Sequence, residues 1–120
     1  MITGAFLAEA ASVTDNKLNV SGGVLYRFVV GPDRLAQFTL VVLTQVETGN
    51  SDRQVTVEML DPDGDQARHD TFELPDAAAD GEIGFAFYSI EETLPMDGRW
   101  VIVVVGGAGA ISLPLMVSGS

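Results

Sequence analysis

Residues 99–117 read RWVIVVVGGAGAISLPLMV, and this stretch decides the fold class. Its first part is a run of branched apolar residues, which favours a β-strand because such side chains pack well on a pleated surface. From Ala110 to Val117 a large aliphatic residue stands at every second position, as in a strand with one buried face. The glycines within 106–109 suit the turn between the two strands. The sequence therefore predicts a β-hairpin near its end.

The same pattern extends outward over the rest of the chain. Apolar runs alternate with turn signals every dozen or so residues, which predicts about eight strands and almost no helix. We expect the strands at 2–11, 18–30, 37–47, 54–60, 67–74, 82–90, 99–105 and 110–117. The predicted architecture is all-β, an antiparallel β-sandwich of the immunoglobulin-like or jelly-roll kind, in a single domain over residues 1–120. A chain of this length buries a core without disulfides, and it contains no cysteine.

Local signals also predict the connections. Gly22 and Gly23 inside the second strand indicate a bulge or a close backbone approach. Two longer loops are expected at 75–81, with one helical turn over 77–79, and at 91–98.

The third and seventh predicted strands carry apolar residues on both faces. Those on the outer faces are Val41 and Leu43 on the third strand, and Val101, Val103 and Val105 on the seventh. A two-layer sandwich buries one face of each sheet, so these residues need a further cover, and no predicted helix supplies it. Because contiguous exposed apolar patches usually mark interaction sites, we expect the five residues to form the interface of a homo-oligomer. The alternative is a closed barrel whose outer valines are tolerated on the surface.

The charge limits the range of partners. The formal net charge is −11, from 17 acidic and six basic residues. Binding to nucleic acid or to anionic membrane surfaces relies on basic side chains, so we expect neither partner, and instead the protein itself or another protein. The N-terminus has no basic start, and Glu9 interrupts its apolar stretch, which argues against a signal peptide. We expect a cytoplasmic protein, or part of a particle assembled inside the cell.

Residue types that often act in catalysis are present, but their sequence positions do not fit a catalytic site. His69 is the only histidine and falls on the polar face of a predicted strand, with no nucleophile placed against it. Glu91 and Glu92 adjoin in sequence instead of facing each other across a substrate. The glycine run at 106–109 lacks the lysine and the helix start of a phosphate-binding loop. We therefore expect no catalytic residue, no cofactor and no enzymatic activity.

Asp61, Asp63 and Asp65 have the one-three-five spacing of a calcium loop. The match then fails, because glycine falls at the fourth position instead of the sixth and Phe72 stands at the twelfth. A tight turn accounts for the same residues, since proline fixes φ, aspartate bonds its own backbone and glycine accepts positive φ. We expect a turn and no metal at Asp61–Gly64.

The alternative function is a small-ligand or carbohydrate-binding module. It would use the loops at 61–65 or 91–97, with weak calcium binding by the aspartates of the first loop. Trp100, Tyr26 and Tyr88 are aromatic residues that stack on sugars in such modules, although Trp100 follows the pattern of a core residue.

The termini and turns resemble a family of short uncharacterised bacterial proteins, mostly actinobacterial, known as a domain of unknown function. The resemblance lies in Ala5–Ala10, in Lys17–Gly23, in the turn at Asp61–Gly64 and in Asp97–Trp100. It implies an intracellular, free-standing β-domain and brings no catalytic residue or ligand. The predicted function is a non-enzymatic interaction or assembly module that self-associates, in a structural or accessory role.

Overall fold

The computed structural model describes residues 2–45, 53–75, 83–106 and 109–119. These residues form strands and connecting turns, and no helix occurs among them. The strands are β1 (Ile2–Ala8), β2 (Ala10–Thr14), β3 (Lys17–Ser21), β4 (Arg27–Val30), β5 (Leu35–Gln45), β6 (Gln54–Leu60), β7 (Gln66–Glu73), β8 (Ile83–Thr93), β9 (Gly98–Gly106) and β10 (Gly109–Gly119).

The strands build two main sheets and a separate hairpin. One sheet has the order β1-β5-β8, the other has the order β4-β10-β9-β6-β7, and β2 pairs with β3. In the immunoglobulin sandwich the A, B and E strands share one sheet and the C, F and G strands share the other. With the hairpin set aside, β1, β5 and β8 take the A, B and E places, and β6, β9 and β10 take the C, F and G places. The all-β sandwich prediction is confirmed, and the connectivity is immunoglobulin-like.

The first two predicted strands are each broken in two. The break in the first falls at Glu9, whose N–H donates to the carbonyls of Ser21 and Gly22 at 3.1 and 3.3 Å. Gly22 has a φ of +66°, which turns the chain out of β3. Both glycines lie between β3 and β4 and not inside a strand, contrary to the prediction. A Cβ added at Gly23 would lie 2.8 Å from the Val20 side chain, so the close approach there is made by a side chain and not by backbone. The described chain therefore has ten strands instead of eight.

One strand pair departs from the antiparallel prediction, because β4 pairs with β10 in parallel. The segment before β4 crosses from one sheet to the other. The Leu25 N–H donates to the Leu7 carbonyl of β1 at 2.7 Å, and the Met116 N–H of β10 donates to the Tyr26 carbonyl at 2.8 Å. This crossing joins the two sheets along one side of the sandwich.

β8 is longer than the sequence predicts. It continues to Thr93, so that Glu91 and Glu92 lie in a strand and not in a loop, and the predicted loop at 91–98 is shorter. Hydrogen bonding to the neighbouring β5 extends this strand, with Ala36 opposite Glu92. The predicted helical turn at 77–79 and most of the loop at 75–81 lie outside the described residues.

The core lies between the inner faces of the two sheets. Trp100 is 1% exposed, as its place in the pattern predicts, and its Nε1–H donates to the Met96 carbonyl at 2.9 Å. The other core residues are Leu7, Val30, Ala36, Phe38, Leu40, Val42, Val55, Val57, Met59, Leu74, Ala86, Ile90, Leu94, Ile102, Val104, Leu115 and Val117.

Aromatic and charged side chains join β7 to β8 on the other side of the sandwich. Phe72 stacks on Tyr88 with ring centroids 4.5 Å apart, and burial raises the pKa of the Tyr88 hydroxyl. Arg68 pairs with Asp70, donates to the Glu91 carbonyl at 2.8 Å and lies 3.6 Å from the carboxylate of Glu92. The inner-face residues of β7 thus hold the two sheets together here.

Candidate interaction surfaces

The β2–β3 hairpin lies across the outer face of the β1-β5-β8 sheet. Ala10–Ala11 of the hairpin border one depression together with Thr39 of β5 and Ser89 of β8. Beyond the end of β3, a Cβ added at Gly23 would lie 3.3 Å from the Phe6 ring of β1. The predicted need for a further cover is thus met by the chain itself at Val41, but not at Leu43.

Val41 is consequently not a surface residue. It lies in register between Phe6 of β1 and Phe87 of β8, and it is 0% exposed. The prediction that Val41 belongs to an interface is wrong, because the sequence pattern does not reveal the hairpin that lies over this face. Leu43, two residues further on, is 36% exposed.

The outer face of the five-stranded sheet is different. We call it the valine face, and it centres on Val101, Val103 and Val105 of β9. Their neighbours in register are Leu60, Glu58 and Thr56 on β6, and Pro114, Ser112 and Ala110 on β10. Val101 and Val103 are half-buried by these neighbours and Val105 is exposed. The three predicted interface residues of β9 therefore keep part of their surface accessible in the described structure.

Charges of both signs lie along the valine face. Arg27 of β4 and Arg99 of β9 share a row with Met116 near one end. Glu58 is paired with His69 on the adjacent strand, with 3.8 Å between the His69 Nε2 and the carboxylate. His69 is therefore an exposed residue of an edge strand that lies beside a carboxylate.

A second surface feature is a groove of about 540 Å³ beside β8. It is lined by Val13 and Asn16 of the hairpin, by Pro75, and by six consecutive residues of β8, namely Ile83, Gly84, Phe85, Ala86, Phe87 and Tyr88. Consecutive strand residues point to opposite faces of a sheet, so they line one groove together only along the edge of the strand. The groove therefore follows the outer edge of β8.

The Asp61 turn has the predicted geometry. Asp61 Oδ1 accepts the N–H groups of Asp63 and Asp65, both at 2.9 Å, and Gly64 has a φ of +87°. The carboxylate thus shapes the turn. Among the described residues no group of three histidine, aspartate or glutamate side chains is arranged to hold a metal ion. The calcium and sugar-binding alternatives stay predictions, and the burial of Trp100 removes that ring from any stacking surface.

Arg34 organises the neighbouring turns. It adopts a φ of +60°, donates from Nε to the Leu94 carbonyl at 2.9 Å and from Nη2 to Asp97 at 2.7 Å. The hydrogen bond from Arg34 lowers the pKa of the Asp97 carboxyl below its ordinary value. Asp97 is thus part of a turn contact on the surface.

The groove beside β8 was not predicted from the sequence. The signal was available in IGFAFYSI, residues 83–90, which contain no charged residue in a strongly acidic chain. Alternation within this run indicated a half-buried strand, but not that the strand lies at the edge of a sheet.

No protein-family model matches the chain, and no curated protein matches it. Among solved structures, it is similar to the CARDB domain of a protein from Pyrococcus furiosus, a domain in complex with di-metal ions. The TM-score is 0.48 at 13% sequence identity, over 96% of this chain and 88% of that chain. In the described ranges no helix is long and apolar enough to cross a membrane. The resemblance to the actinobacterial family stays a prediction.

Proposed function

We propose that this protein is a non-enzymatic interaction module that assembles with copies of itself through the valine face. The observation that supports this proposal is the difference between the two outer sheet faces. At the centre of β5, Val41 is fully buried on the face that carries the β2–β3 hairpin, and Leu43 nearer the end of the strand is 36% exposed. On β9, Val101 and Val103 are half-buried and Val105 is 38% exposed. An accessible apolar stripe in the middle of a sheet is typical of a surface that a partner covers.

The charges favour a second copy as that partner. Copies of a chain with a net charge of −11 repel each other, so association requires a surface where like charges do not meet. The valine face meets this requirement, because Arg27 and Arg99 lie toward one end of it, while Glu58 and Glu73 lie elsewhere on the same face. A two-fold arrangement can place the basic end of one copy near acidic residues of the other.

The proposal assigns no catalytic residue, cofactor, nucleic acid or membrane to the protein. It places the protein in the cytoplasm, or in a particle assembled inside the cell, where it has a structural or accessory role. The acidic composition supports the exclusion of nucleic acid and anionic membranes, because binding to either relies on basic side chains.

The substitution Val103→Asp tests the proposal. It places a negative charge at the centre of the valine face, close to the same charge on the second copy. We therefore expect the dissociation constant of the oligomer to rise at least about tenfold. The measurement is the solution mass by light scattering across a dilution series. The control is Val24→Asp, because Val24 is 65% exposed and lies outside the face. An unchanged mass for a folded Val103→Asp variant would contradict the proposed interface.

A further inference from the structure

β8 lies at the edge of its sheet with one side unpaired. It pairs with β5 over its full length of 11 residues, and among the described residues no strand pairs with its other side. The groove of about 540 Å³ runs along that side. In the described ranges, the hairpin borders this groove through Val13 and Asn16 but does not pair with β8.

The hydrogen bonds of the neighbouring turn show which backbone groups point into the groove. The Leu94 N–H donates to the Arg34 carbonyl, so even-numbered residues of this antiparallel ladder bond toward β5. The Glu91 carbonyl accepts from Arg68 of the other sheet, which shows that the odd-numbered residues point outward. By the same alternation, the outward N–H and C=O groups belong to Ile83, Phe85, Phe87 and Ser89.

The other outer edges of the two main sheets carry the protection that β8 lacks. Natural edge strands avoid pairing with further strands by being short, charged, bulged or covered. β4 has four residues including Arg27, and β7 carries Arg68, His69 and Asp70 beside an irregular register. Leu25 covers part of the free side of β1. By contrast, residues 83–90 contain neither a charge nor a proline.

We propose that β8 is a second self-association site, at which the β8 strands of two copies pair in antiparallel fashion. This site is separate from the valine face, because β8 belongs to the other sheet. A two-fold axis at Ala86 places Phe85 opposite Phe87 of the second copy, and Gly84 opposite Tyr88. The same register brings the outward backbone groups together and allows about eight hydrogen bonds between the copies.

Side-chain size and charge both favour a second copy in this register. The phenylalanines lie on one face of the sheet and form two cross-strand aromatic pairs, a combination that stabilises antiparallel strands. On the other face the small Gly84 leaves space beside the large Tyr88 ring of the second copy. Residues 83–90 are uncharged in a chain with a net charge of −11, so two copies of this edge approach without repulsion between facing carboxylates.

A single cysteine tests the register, since the natural chain contains none. In the proposed pair the two Ala86 residues are directly opposite, with Cα atoms about 4.5 Å apart, which suits a disulfide. We expect Ala86→Cys to form a disulfide-linked dimer under mild oxidation. The control is Ser89→Cys, whose counterparts would lie about 20 Å apart in the same register. Failure of Ala86→Cys to cross-link, or equal cross-linking of the control, would overturn the proposal.

A proline tests the hydrogen bonds without removing a side-chain contact of the core. Ser89 directs its N–H away from β5, so Ser89→Pro leaves the β5–β8 ladder complete while deleting one donor per copy. We expect the dissociation constant of the β8 pair to rise at least about tenfold, while Ser89→Ala, which keeps the N–H, associates like the natural chain. Equal association of folded Ser89→Pro and Ser89→Ala would count against the site.

Combining Ala86→Cys with Val103→Asp separates this site from the valine face. Cross-linking that persists in the double variant supports the β8 site whether or not the valine face forms an interface. Loss of cross-linking in the double variant would show that the β8 strands do not pair without the valine-face interface. The proposed β8 site would then be wrong even if the valine face is an interface.

Discussion

Gly98 occupies a backbone position that excludes a side chain for two reasons. Its φ is +127°, and an added Cβ would lie 3.1 and 3.2 Å from two carbons of Pro62. We expect Gly98→Ala to lower the free energy of unfolding by about 1–3 kcal/mol, measured by urea denaturation. The control is Gly31→Ala, whose added Cβ would make an ordinary contact at 3.7 Å with Asp33. A change within about 0.5 kcal/mol for both variants would contradict this view of Gly98.

At this scale the sequence predicts features whose cause is local. The Asp61 turn was predictable because proline, aspartate and glycine act within four or five residues of one another. The constraint at Gly98 was not, since it depends on Pro62, which is distant in sequence and adjacent in space. The left-handed backbone conformation of Arg34 was not predictable for the same reason, because contacts with the distant residues Leu94 and Asp97 stabilise it.

At the scale of the elements, the β2–β3 hairpin makes the outer faces of the third and seventh predicted strands differ in accessibility. Both carry apolar residues on two faces, and the pattern alone predicts the same role for Val41 and Val103. Only the fold shows that the hairpin lies across the first of them. The strand breaks at Glu9 and Gly22 that create this hairpin were hidden in sequence, because the residues on either side continue a β-like pattern.

The comparison of two aspartate substitutions tests this difference. Val41→Asp buries a charge without a partner, so we expect it to lower the free energy of unfolding by about 4 kcal/mol or more, or to prevent folding. Val103→Asp places its charge on an accessible face, and we expect a loss near 1 kcal/mol. The measurement is urea denaturation followed by circular dichroism, at a concentration where both variants are dissociated. Similar losses for the two variants would contradict the covering role of the hairpin.

For the whole molecule, we propose that an acidic immunoglobulin-like sandwich associates where its surface is locally uncharged or balanced. The fold class was predictable because alternation and turn signals recur along the chain. The accessibility of the candidate surfaces was predictable in part. Leu43 and Val105 are exposed, Val101 and Val103 are half-buried, and Val41 is buried. The β8 edge depends on strand order. The strand order arises from long-range pairing, which no local pattern contains.

The measurement that tests self-association most directly is the solution mass of the natural protein, by light scattering after size exclusion, at low and high salt. We expect a defined multiple of 12.7 kDa, with association strengthened at high salt because ions screen the repulsion between copies of charge −11. A mass of 12.7 kDa at both salt concentrations and across a dilution series would contradict self-assembly through either surface.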